Sequence, residues 1–106
     1  MQIKITANER TCPPGKLADV ELHFTDGPLA GLKLIGFAVW ERRSNNGRNV
    51  TFPARSYAVN GERRSFALLR PITDMDVNAR LRDAILNAYA DFERDADAQA
   101  VRDAVV

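Results

Sequence analysis

The sequence is poor in the residues that build stapled or metal-held folds. Its single cysteine, Cys12, has no partner for an internal disulfide and suits a reducing compartment. A lone histidine, His23, beside that lone cysteine excludes a structural zinc site made of Cys and His ligands. No stretch approaches the ~20 apolar residues of a membrane span, and internal repeats and low-complexity tracts are absent. The N-terminus, Met1-Gln2-Ile3-Lys4-Ile5, alternates and lacks the apolar run of a signal peptide, so a cytoplasmic protein is expected. Aromatic residues are few, one Trp, two Tyr and five Phe, so any surface that gathers them stands out.

What is present is an ordinary globular composition in 106 residues, with 45% hydrophobic and 27% charged. That is one domain's worth of chain. The net charge of +1 argues at first against a polyanionic partner, but it conceals a split. Residues 1–70 carry 11 bases against 6 acids, and residues 71–106 carry 4 bases against 8 acids. Within 41–70 there are seven arginines and two glutamates. Neutrality therefore does not exclude a charged partner; it places the possible site between Arg42 and Arg70.

Ile3, Ile5 and Ala7 alternate with Lys4 and Thr6, and Val20, Leu22 and Phe24 alternate with Asp19, Glu21 and His23. Both patterns predict strands with one buried face. The first ends at Thr11-Cys12-Pro13-Pro14-Gly15, because prolines bring no amide hydrogen to a ladder, and the second turns at Asp26-Gly27-Pro28. Leu32 to Val39 is more continuously apolar, as in a central strand.

Asn-Gly is the preferred pair for a two-residue hairpin turn, and it occurs at Asn46-Gly47 and Asn60-Gly61. With Asn46 and Gly47 at the turn centre, Asn45 faces Arg48, Arg42 faces Thr51, Trp40 faces Pro53 and Ala38 faces Arg55. The second turn sets Tyr57 opposite Arg64 and Arg55 opposite Phe66. A three-stranded sheet follows. One face carries Phe37, Val39, Val50, Phe52, Ala54, Ala67 and Leu69; the other carries Trp40, Tyr57, Phe66 and Leu68 among Arg42, Arg55 and Arg64. Beyond Pro71, Thr73-x-x-Asp76 reads as a capping box. Val77, Leu81, Ala84, Ile85, Ala88, Tyr89 and Phe92 then recur at helical spacing, predicting a helix over about 74–96 that covers the apolar face. One α+β domain over 1–97 results, and the acidic end past Tyr89 closes in a tail over 98–106.

The stretch Asn45 to Tyr89 resembles the SpoVG family, the bacterial septation and stage V sporulation regulators. The family's Asn-rich turn ending in Gly, followed by a strand ending in Met-Pro-Ser and basic residues, is matched by Asn45-Asn46-Gly47 and Val50-Thr51-Phe52-Pro53-Ala54-Arg55. Its Gly-Glu turn, Pro-Ile strand end and Asp-Ala-Val-Leu-x-x-Tyr helix are matched by Gly61-Glu62, Pro71-Ile72 and Asp83-Ala84-Ile85-Leu86-Asn87-Ala88-Tyr89. Gly15-Lys16-Leu17-Ala18 is similar to the family's lead-in to its second strand. The resemblance implies an antiparallel sheet of four to five strands followed by a long C-terminal helix. It also implies a homodimer and non-enzymatic DNA or RNA binding in transcriptional or post-transcriptional regulation, without a cofactor. Family members carry two basic residues after the Pro-Ser; here Arg55 fills one place and Ser56 stands in the other.

The candidate nucleic-acid surface is therefore Arg42, Arg43, Arg48, Arg55, Arg63 and Arg64 for phosphates, with Trp40 and Tyr57 to stack on bases. Arg70 extends the positive field. The same aromatics and arginines also describe a dimer interface, so a protein-interaction or assembly module that has lost nucleic-acid contacts is the alternative. An enzyme is the weakest reading, since no nucleophile–base pair or metal constellation appears. His23 reads as a solvated strand residue and Cys12 as a bystander thiol. Asp74, Asp76 and Asp83 read as helix-end and surface charges rather than metal ligands. Asp91, Glu93, Asp95 and Asp97 invite a further expectation: the acidic end folds over the basic sheet face, within the subunit or across a dimer, and competes with phosphate there. No membrane and no small-molecule substrate is expected.

Overall fold

The computed structural model describes residues 1–8, 14–42 and 47–105, with side chains described up to residue 97. It is an α+β fold of six strands and one long C-terminal helix. The strands are β1 (Gln2–Ala7), β2 (Lys16–His23), β3 (Lys33–Glu41), β4 (Arg48–Thr51), β5 (Ala54–Val59) and β6 (Glu62–Ala67), and the helix is α1 (Asp76–Val105). All strand pairs are antiparallel. They form not one sheet but two: β1-β2-β3-β4 in that order, and a separate β5-β6 hairpin.

The central-strand reading of Leu32 to Val39 holds, since β3 lies between β2 and β4. Its apolar positions change parity, with Leu34 and Phe37 both turned to the core. A register shift against β2 explains this: Val20 pairs with Phe37 but Leu22 with Leu34, leaving one extra residue on β3. Gly36 makes the bulge possible at φ +108°, a value side-chain-bearing residues rarely adopt.

The two Asn-Gly turns differ in outcome. At Asn60-Gly61 both residues take positive φ, 53° and 81°, and the ladder runs Val59↔Glu62, Tyr57↔Arg64, Arg55↔Phe66 as the turn demands. At the first turn the expected register is wrong. Glu41 pairs with Arg48, Trp40 with Asn49 and Ala38 with Thr51, and the Arg42 amide donates to the Gly47 carbonyl at 2.9 Å. Arg42 and Gly47 thus close the hairpin in place of Asn45 and Arg48; residues 43–46, with Arg43, Asn45 and Asn46, lie outside the described residues, as does Cys12. The slip is even, so each residue keeps its face while its partner changes.

The expected continuous sheet breaks at Phe52-Pro53. Pro53 has no amide hydrogen to carry the β4 ladder onward, and it is buried against Gly36, where an added Cβ would stand 2.9 Å from the Pro53 Cβ. The chain leaves the first sheet there, and β5-β6 starts its own ladder, which Leu68 extends by donating to the Pro53 carbonyl.

The core lies between the four-stranded sheet and α1. Val20, Phe37 and Val39 face Ile85 at 0–1% exposure, with Ala18, Leu22, Val50 and Tyr89 buried around them and Phe52, Leu81 and Phe92 at the margin. Helix α1 begins later and runs further than its apolar spacing predicts, 30 residues or about 45 Å. Its cap is Asp74, not Thr73: the Asp74 carboxylate accepts from the Asp76 amide at 2.9 Å and from Arg80 at 2.9 Å. The molecule measures 58 × 37 × 23 Å, and its radius of gyration of 16.4 Å exceeds the ~13 Å usual for a compact chain of this length.

Candidate nucleic-acid interface

The β5-β6 hairpin buries nothing: every residue of both strands is exposed. Strand alternation sorts its side chains into two unlike faces. Ala54, Ser56, Ala58, Arg63, Ser65 and Ala67 share one, and Arg55, Tyr57, Val59, Glu62, Arg64 and Phe66 the other. On the second face four residues form a square. Tyr57 stands opposite Arg64 and Arg55 opposite Phe66, so the aromatics occupy one diagonal and the arginines the other. The Tyr57 and Phe66 ring centroids are 5.7 Å apart. Arg70 reaches over the Phe66 ring at 5.6 Å while its Nε donates to the Ala67 carbonyl, which brings a third guanidinium to the patch. Glu62 is the acid on this face and accepts weakly from Arg64 at 3.4 Å.

Such a patch offers planar cations for phosphates and π faces for bases. It comprises Arg55, Tyr57, Arg64, Phe66 and Arg70, only part of the surface expected from sequence. Arg63 projects from the opposite hairpin face. Trp40 lies on the other sheet, half-buried on β3, where its indole donates to the Thr51 hydroxyl at 2.7 Å, and Arg42 follows the end of that strand. Arg48 is engaged elsewhere. Its guanidinium donates to both carboxylate oxygens of Glu93, at 3.1 and 2.9 Å, and lies 5.7 Å from the centre of the Tyr89 ring. That contact clamps β4 to α1 within the subunit, on the Val39–Val50 face that packs against the helix and not on the basic face that the acidic end is expected to cover. Burial, with the Glu93 charge nearby, holds the Tyr89 phenol above its ordinary pKa. Phe66 and Arg70 complete the patch; the Asn60-Gly61 register already put Phe66 across from Arg55.

His23 is expected to be solvated on its strand, and its side chain is 35% exposed on β2. Its Nε2 lies 3.3 Å from a Glu21 carboxylate that also meets Lys33 at 2.9 Å. Among the described residues no cluster of three His, Cys, Asp or Glu side chains is placed to hold a metal ion, and no helix is long and apolar enough to cross a membrane. No protein-family model, curated protein or solved structure matches the chain.

Proposed function

We propose that this protein is a non-enzymatic nucleic-acid-binding regulator of the SpoVG kind, homodimeric at rest, that grips DNA or RNA with the β5-β6 hairpin. The observation that carries this reading is the exposed square of Arg55, Tyr57, Arg64 and Phe66, with Arg70 at its border. Exposed aromatic rings beside arginines favour unpaired bases, which stack at about 1–3 kcal/mol each. The test is binding to random single- and double-stranded DNA and RNA pools at about 50 mM salt. Arg55→Ala should weaken binding severalfold and flatten its salt dependence by about one phosphate contact. Arg42→Ala, just past the end of β3, should do less. Absence of binding by the wild-type protein to every pool would refute the reading.

A second reading, a protein-interaction or assembly module of the same fold, draws support from Arg48. A base expected on the nucleic-acid surface is instead committed to Glu93. Ile72 and Met75, 96% and 76% exposed just before α1, add apolar surface that nucleic acid does not need.

A further inference from the structure

We infer that the β5-β6 hairpin of one copy seats in a groove between β1 and α1 of a second copy, and that this contact and nucleic acid compete for the Arg55–Tyr57–Arg64–Phe66 face. The competition rests on the function proposed above; the contact between copies does not.

The groove has a volume of about 380 Å³ and is lined by Gln2, Ile3, Lys4 and Ile5 on one side and by Ala88, Asp91, Phe92 and Asp95 on the other. Four consecutive strand residues line it, so it runs along the edge of β1 rather than over one face. Among the described residues that edge is open, because β1 is the outermost strand of its sheet and pairs with β2 alone. Alternate backbone amides and carbonyls of an edge strand point outward and can take another strand. A strand added there would turn one face toward the helix side, onto the apolar floor of Ile3, Ile5 and Phe92.

The hairpin has the matching chemistry. Its square presents Tyr57 and Phe66 to an apolar floor and Arg55 and Arg64 to an acidic wall. Asp91 and Asp95 stand one helical turn apart, about 6 Å along α1, and the arginines lie on a strand diagonal of about 7–8 Å. Asp91 now pairs with Arg94 of its own helix across an exposed surface, a contact that exchanges at little cost. Reciprocal insertion of both hairpins closes a two-fold dimer. It covers the hairpin, whose strands bury nothing within their own subunit.

The experiment is sedimentation of the full chain over a concentration series. The wild type should be a dimer. The double reversal Asp91→Lys with Asp95→Lys should weaken that dimer at least about tenfold, and so should Arg55→Glu with Arg64→Glu. An equimolar mixture of the two reversed proteins should regain dimer, since each hairpin then meets a groove of opposite charge. That rescue also excludes misfolding as the cause. Hydrogen exchange over Gln2–Ala7 should slow as dimer forms. A monomer at every concentration, a dimer that neither reversal weakens, or a mixture that stays monomeric would overturn the contact. Titrating an oligonucleotide into the wild-type dimer should release protein–oligonucleotide complexes of one chain. Binding that leaves the dimer intact would overturn the competition, whereas no binding at all would overturn the nucleic-acid reading and leave the contact standing.

Discussion

The body of β1-β4 and α1 is packed around a core, whereas the β5-β6 hairpin stands exposed along both strands. The body gathers Val20, Phe37, Val39 and Ile85 at 0–1% exposure and pins β4 to the helix with Arg48 and Glu93. The hairpin is held by a turn and its own ladder, and it leaves Tyr57 at 41% and Phe66 at 37% exposure. A small chain can seldom leave aromatic rings outside its core without a use for them. The net charge of +1 averages over unlike parts, because the described hairpin is basic and the helix acidic.

The largest expected effect separates the two regions directly. Ile85→Ala removes a fully buried side chain from the sheet–helix interface and should cost about 2–5 kcal/mol in denaturant unfolding. Phe66→Ala should cost less than about 1 kcal/mol, because the ring is only partly covered, yet it should weaken single-strand binding roughly tenfold or more. If Phe66→Ala unfolds the protein as readily as Ile85→Ala does, the hairpin is part of the core and the division fails.

The hinge between the regions should respond next. Gly36→Ala imposes a side chain at φ +108° and brings its Cβ to 2.9 Å from the Pro53 Cβ. We expect a loss of about 1–3 kcal/mol in thermal or denaturant unfolding. Adding Pro53→Gly should recover part of it by removing the clash while the backbone strain stays. No recovery would mean that strain alone sets the loss and that Pro53 does not position the hairpin.

How much of this could be read in advance depended on whether the deciding interaction was local. The second hairpin was legible to the residue, because Asn60 and Gly61 themselves adopt the positive φ that fixes the register. The first was not, because Arg42 and Gly47 close it four residues away in sum from the turn assumed; its faces survived because the slip is even. The break at Pro53 depends on Gly36, and the loss of Arg48 to Glu93 spans 45 positions in the chain. Neither partner is marked by any nearby pattern. Asp74 displaced Thr73 as the cap by a single position, a choice between two good capping residues that only the helix start decides. Of the candidate site, the Arg55, Tyr57 and Arg64 cluster was legible through its turn, and the placement of Trp40 and Arg42 beside it failed with the continuous sheet.

The smallest expected effect lies on the body, on the sheet surface away from the helix, and is a matter of pH. The hydrogen bond from Lys33, then the one shared with His23, holds the Glu21 carboxyl below its ordinary value near 4.5, against a weaker upward push from burial. Because the folded protein binds this proton less readily than the unfolded chain, the contribution to stability is complete above the unfolded pKa and lost as pH falls through the folded one. Glu21→Gln should therefore lower stability slightly near neutral pH, and the difference from wild type should shrink toward zero in more acidic buffer. Urea unfolding of both proteins across that range measures it. A difference that stayed unchanged in acidic buffer would mean that Lys33 and His23 do not favour the ionised Glu21 carboxyl in the folded body.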